Sequence, residues 1–191
     1  MSQQLYEHIG KYVEVNEKEF PEILDFFEPV SLRKKEYLVQ AGAKCAYNYF
    51  VLKGCLNMYF DNEKGMPQTV QFAIENWWIS DYLAFAGQKS TEFYIQAVER
   101  SKVLRITYTD QELLLKRFPH LEKYFRNIYQ IAYGASLMRI KHMYAFSKEE
   151  IYLHFTEKYP EFGQRVPQYL IASFLGLSPE YVSEIRRKRL S

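Results

Sequence analysis

Pro167-Gln-Tyr-Leu-Ile-Ala-Ser-Phe-Leu-Gly-Leu-Ser-Pro-Glu-Tyr-Val-Ser-Glu-Ile-Arg-Arg-Lys-Arg189 decides how the rest of the chain is read. Its spacing predicts two short helices around a tight turn at Gly176. Pro167 suits a helix N-terminus, where its missing N–H would have no partner anyway. Ile171, Ala172, Phe174 and Leu175 form an apolar face at helical intervals. Gly176 can take the positive φ that closes a helix, and Leu177 plugs the turn. Ser178 is a good N-cap, Pro179 fits the first helical position, and Glu180 adds favourable charge to the first turn. Val182 and Ile185, three apart, can pack back on the first helix, which leaves Tyr181, Ser183, Glu184 and Arg187 facing outward.

Two structures need Gly, Ser and Pro at these places. One is a helix-turn-helix that reads DNA; the other is an αα-hairpin capping a helical domain. Charge favours the first. Residues 164–191 hold Arg165, Arg186, Arg187, Lys188 and Arg189 against Glu180 and Glu184, a net +3. The whole chain carries +2, so everything before this segment sums to −1. Positive charge is concentrated where phosphates would be met.

Upstream, Ser147-Lys-Glu-Glu150 reads as a capping box that starts a fresh helix to about Lys158, with a hinge near Phe146. Pro160 and Gly163 mark the next break. Pro119 opens a long helix to about Ala145, with a stripe at Leu121, Tyr124, Ile128, Ile131, Ala135 and Met138. Steps alternating near three and four are the seam of a coiled-coil-like pairing with a second copy, and equally of a helix packed on its own domain. Thr109-Asp110 is a plausible cap for a short helix through Arg117. Between Glu28 and Thr107 the pattern changes to short runs near period two: Tyr37–Val39, Tyr49–Leu52, Leu56–Phe60, Thr69–Ile74, Phe93–Val98 and Lys102–Ile106. Turn signals sit at Ala41-Gly-Ala, Lys53-Gly54 and 61–65. Many short strands at this spacing predict an antiparallel barrel or roll. Residues 5–27 look helical, with breaks near Asn16 and Pro21.

At 191 residues, with 48% hydrophobic and 25% charged residues, the chain suits one large domain or a small pair. No apolar run approaches a membrane span, and the first residues lack a secretory pattern, so the expected location is cytoplasmic. Cys45 and Cys55 lie in apolar, strand-like runs and read as buried thiols. His8, His120, His142 and His154 form no ligand-like cluster, so neither a metal nor a cofactor is expected.

A β-roll, a long helix and a helix-turn-helix, in this order, resemble the Crp/Fnr family of bacterial transcription regulators. The motifs that carry the resemblance are Tyr49-Phe-Val-Leu-Lys-Gly-Cys-Leu56 and Ile171-Ala-x-x-Leu-Gly-Leu-Ser-Pro-Glu-x-Val-Ser-x-Ile-Arg-Arg187. It implies an α+β fold: an antiparallel β-roll of the double-stranded β-helix or jelly-roll type, a long dimerisation helix, and a C-terminal helix-turn-helix. The corresponding divisions are 1–118, 119–146 and 147–191. It further implies a homodimer on double-stranded DNA, a small-molecule effector of unknown identity, and RNA polymerase as a partner.

The resemblance also shows where this chain departs. The family's cyclic-nucleotide pocket uses a Phe-Gly-Glu-Leu-like stretch, then an Arg and a Ser or Thr for the cyclic phosphate. Here the first stretch is Ile79-Ser80-Asp81-Tyr82, and the Arg and Ser positions are Thr91 and Glu92. Glu92 would repel a phosphate. Lys89 is nearby but cannot give a bidentate fork. A degenerate pocket that does not take cyclic AMP is expected. Trp77 and Trp78 could floor a pocket, though aromatic core packing is the simpler role. The chain stops at Ser191, so no full wing is expected. The family's base-reading positions fall on Pro179, Glu180 and Glu184, where Glu184 replaces a frequent Arg. Ser178, Tyr181, Ser183 and Arg187 complete the expected base-side face, and Arg186, Lys188 and Arg189 the phosphate contacts. A ligand sensor or protein-docking module that does not bind DNA is the alternative. An enzyme is not expected, because cupin-like rolls need several histidines and none lies between His8 and His120.

Overall fold

The computed structural model describes residues 2–190, with the side chains of residues 3–188. It divides into two compact units, Met1–Met58 with Phe72–Ile131, and Tyr59–Gln71 with Ala132–Ser191. In chain order the elements are α1 (Ser2–Gly10), α2 (Phe20–Leu24), β1 (Glu28–Leu32), β2 (Tyr37–Val39), β3 (Tyr47–Lys53), β4 (Leu56–Asp61), β5 (Pro67–Ala73), β6 (Trp78–Ile79) and α3 (Tyr82–Gly87). They continue as β7 (Tyr94–Ala97), β8 (Ser101–Thr107), α4 (Tyr108–Arg117), α5 (Leu121–Ala145), α6 (Lys148–Lys158), α7 (Pro160–Arg165), α8 (Gln168–Leu175) and α9 (Pro179–Leu190).

The strands form two four-stranded sheets, ordered β1-β8-β3-β6 and β2-β7-β4-β5. β8 lies antiparallel between β1 and β3, with Val103 opposite both Val30 and Val51. β3 is buried along nearly its whole length because both faces are covered. Phe50 and Leu52, with Leu104 and Ile106 of β8, pack under α1, α2, α4 and the start of α5. Tyr49, Val51 and Val103 fill the opposite face, inside the roll. The helix side of this core is held by Leu5, Ile9, Ile23, Leu114, Leu121 and Phe125. Each such side chain contributes about 1.5–3 kcal/mol of burial.

At the centre of this layer three polar groups close on one another. Trp78 Nε1 donates to the Tyr124 hydroxyl at 2.8 Å, which lies 2.8 Å from His8 Nδ1. The Tyr124 hydroxyl accepts from the indole, and its own proton is available to a neutral imidazole. Trp78 packs on Phe50 and Phe125 and is core, whereas Trp77 is 40% exposed.

Gly54 turns β3 into β4 at φ +101°, and a Cβ there would sit 2.7 Å from the Ser101 main-chain Cα. Gly54→Ala is therefore expected to cost roughly 1–3 kcal/mol from backbone strain, read as a lower melting temperature. An unchanged melt would contradict this close approach.

Several elements differ from the sequence expectation. The N-terminal stretch is two separate helices, with Pro21 in the first turn of α2. α4 starts earlier than the Thr109-Asp110 cap: the Thr107 hydroxyl accepts from the Asp110 amide at 3.0 Å. The break read at Pro160 is present, since α6 ends at Lys158 and α7 opens on Pro160, whereas Gly163 lies inside α7. No helix was expected at residues 82–87, yet α3 forms there because Asp81 caps it. The capping box on Ser147 and Glu150 is present as read.

Candidate nucleic-acid interface and roll pocket

α8 and α9 pack through Ile171, Ala172 and Leu175 against Val182 and Ile185, all buried. Gly176 closes α8 at φ +70°. Its amide bonds the Ser173 carbonyl, and the Leu177 amide bonds Ala172 O at 2.9 Å, a Schellman-type end. The Ser178 hydroxyl accepts from the Tyr181 amide at 3.2 Å, capping α9. The turn geometry therefore presents the start of α9 outward. Ser178, Pro179, Glu180, Ser183, Arg186, Arg187 and Lys188 are exposed, and Tyr181 and Glu184 are half-buried. Arg189 lies outside the described side chains.

The charges on this face are not equivalent. Glu184 pairs with Lys188 at 2.9 Å, one helical turn on. The Lys188 ammonium holds the Glu184 carboxyl below its ordinary range, and Glu184 raises Lys188 in return. Among the described residues of α9, Arg186 and Arg187 are the cations outside any ion pair. The Ser183 hydroxyl donates back to Pro179 O at 2.9 Å, so towards a base it can act only as an acceptor. Sequence reasoning passed over Tyr169, 53% exposed at the start of α8. The first helix of such a motif crosses the backbone, and an aromatic hydroxyl there can donate to phosphate.

In the other unit, four of the six expected pocket residues have identifiable employments. Asp81 Oδ1 caps α3 through the Ala84 amide at 3.1 Å, and Asp81 Oδ2 accepts from the Thr91 hydroxyl at 2.8 Å. The pair that would greet a ligand is thus satisfied internally. Ser80 is buried and donates to Tyr47 O at 3.0 Å, with Cys45 Sγ 3.4 Å away. Burial raises the Cys45 thiol above its usual range, and both cysteines are buried and unbridged. Tyr82 points its ring at Tyr129 of α5, centroids 5.0 Å apart. Burial raises its phenol well above the ordinary value, and its hydroxyl has no hydrogen-bond partner. Lys89 and Glu92 are exposed. Among the described residues no cation is hydrogen-bonded or ion-paired to Asp81 or Thr91, which bond each other and the start of α3.

The expected dimer stripe is divided. Leu121, Tyr124 and Ile128 are 1%, 0% and 8% exposed and belong to the core of their own unit. Ile131, Ala135 and Met138 are exposed. A second set of exposed apolar residues was not read from the sequence: Tyr133, Leu137, Ile140 and Tyr144. Among the described residues no group of three or more His, Cys, Asp or Glu is placed to hold a metal, and no helix is long and apolar enough to cross a membrane.

Residues 29–118 match the cyclic nucleotide-binding domain family. The fold is shared with solved structures at low identity. The c-di-GMP-responsive global regulator CLP of Xanthomonas campestris superposes with a TM-score of 0.73 at 9% identity, covering 92% of each chain. FixK2 of Bradyrhizobium japonicum gives 0.71 at 16% identity, covering 85% of this chain and 83% of that one. A protein from Eubacterium rectale assigned to the Crp/Fnr family of transcriptional regulators gives 0.69 at 15%, covering 91% and 83%. No curated protein matches the sequence. The chain as a whole has the α+β fold of Crp/Fnr-family transcription regulators.

Proposed function

We propose that this chain is a homodimeric DNA-binding transcription regulator whose roll pocket does not take cyclic nucleotides. The observation that carries the reading is the exposed, capped start of α9 with two arginines outside any ion pair, standing on a buried α8–α9 core. Residues before 119 would form an effector-like domain, the helix to about 146 the pairing element, and the remainder the reader. Two readers related by a twofold axis would enter adjacent major grooves about one helical turn apart.

Selection of bound duplex fragments tests this directly. Arg186→Ala and Arg187→Ala are each expected to weaken binding about fivefold across sequences and to reduce the salt slope by about one. Lys188→Ala should do less, because Glu184 already offsets that charge. Glu180→Ala should relax sequence preference, since a carboxylate can accept from cytosine N4. Unchanged duplex affinity in both arginine variants would sink the assignment.

For the roll, millimolar cyclic AMP or cyclic GMP is expected to leave the melting temperature unchanged. A ligand a thousandfold above its Kd would add about 4 kcal/mol and move the melt by many degrees. A clear upward shift would overturn the degenerate-pocket reading.

A further inference from the structure

The second unit joins two pieces distant in sequence, residues 59–71 and the C-terminal helices. The first piece is the outer half of the β4–β5 hairpin. Its tip is tightly built: Asn62 Oδ1 accepts from the Lys64 and Met66 amides, each at 3.0 Å, and Gly65 takes φ +70°. Two side chains bind this arm to α8. The Ser173 hydroxyl accepts from the Thr69 amide at 2.9 Å and donates to Pro67 O at 3.0 Å. Arg139, on α5, donates from Nη1 to Val70 O at 2.8 Å and from Nη2 to Phe174 O at 2.7 Å. Its guanidinium also lies over the Phe174 ring, 4.3 Å from the centroid.

The chemistry of this joint is specific. The last four carbonyls of a helix have no intrahelical donor. The Schellman-type end of α8 satisfies Ala172 and Ser173 from Leu177 and Gly176. Phe174 O and Leu175 O remain, and Arg139 takes the first, placing a cation where the helix dipole favours one. A guanidinium offers separate N–H groups to the two carbonyls in a fixed fork while its planar face stacks on the ring; an ammonium is a compact point charge without that face. No carboxylate pairs with Arg139 among the described residues, so its charge is spent on backbone.

We infer that Arg139 and Ser173 are positioning residues for DNA reading: they fasten the first helix of the helix-turn-helix to the β4–β5 arm, making that arm a working part of the reader. The inference rests on the DNA-reading proposal above. The arm is the outer part of strands that begin at Leu56 and end at Ala73.

The test uses the full-length chain with Ser173→Ala, Arg139→Met and Arg139→Lys. Amide hydrogen exchange at Thr69 reports on the joint, with Val103 and Ile106 in the roll as controls. Thr69 is expected to exchange at least about tenfold faster in Ser173→Ala and Arg139→Met, with the controls unmoved. Affinity for a selected duplex is expected to fall about tenfold in Arg139→Met and less in Arg139→Lys, which keeps the charge but not the fork. Equal Thr69 exchange in wild type and Ser173→Ala would overturn the joint. Altered exchange with unchanged duplex affinity in both Ser173→Ala and Arg139→Met would overturn the positioning role. If wild type binds no duplex, the inference falls with the DNA reading, and the exchange data show whether the joint itself stood.

Discussion

Leu137→Glu with Ile140→Glu is expected to convert the protein from dimer to monomer in sedimentation equilibrium, with its circular dichroism unchanged and its melting temperature lowered only by the loss of the partner. On a helix turning 100° per residue, Tyr133, Leu137, Ile140 and Tyr144 form one stripe, about 140° around α5 from the Leu121, Tyr124, Phe125 and Ile128 face. Steps of four, three and four are those of a paired-helix seam. The four residues are 67%, 47%, 50% and 89% exposed, too much apolar surface on one helix to leave in water without purpose. In a twofold interface each substitution acts twice. Four lost apolar anchors at about 1.5 kcal/mol each give about 6 kcal/mol, a weakening of more than ten-thousandfold. Ile128→Glu is the contrast: Ile128 is 8% exposed in its own core, so that change should unfold the roll and report nothing about pairing. A dimer that survives Leu137→Glu with Ile140→Glu would move the seam to Ile131, Ala135 and Met138.

The second large effect is acid lability set by His8. Burial, aided by the nearby Lys11 charge, lowers its imidazole from 6.5 to about 4. Only the neutral ring can accept a hydrogen bond from Tyr124, 2.8 Å away. Because the folded value lies below the unfolded one, the unfolded chain binds the extra proton between them, and stability rises with pH across that window. The contribution is fully present above pH 6.5 and is lost as pH falls towards 4, up to about 3 kcal/mol. Thermal melts of wild type and His8→Gln between pH 7.5 and 4.5 isolate the effect from carboxylate titration. Wild type should lose its advantage as pH falls; parallel curves would show that His8 does not titrate with folding.

What was legible in the sequence was local. Gly176, Ser178 and Ser147 declare their roles because a positive φ or a cap depends on a few neighbouring residues. α3 was not legible, since six residues carry little periodicity and the cap on Asp81 is reinforced from Thr91. The division of α5 was hidden for a different reason. Apolar residues lie on two sides of that helix, and periodicity cannot say which side meets the chain's own roll. The Glu184–Lys188 pair was available as an i, i+4 signal. The Arg139 joint was not, because its partners are main-chain carbonyls of Val70 and Phe174, which leave no side-chain signature.

If the chain reads DNA as proposed, the tie between Glu184 and Lys188 bears on how it would find its sites in a cell. Non-specific attraction to bulk DNA scales with the phosphates neutralised, and here part of the cationic edge is already neutralised from within. A weaker grip on random sequence means shorter dwell times there and a larger free pool. Residence on chromosomal targets would then follow the number of molecules present more closely than it does for a regulator that is mostly sequestered on the genome. Changes in synthesis or turnover of the protein would register quickly as changes in promoter occupancy.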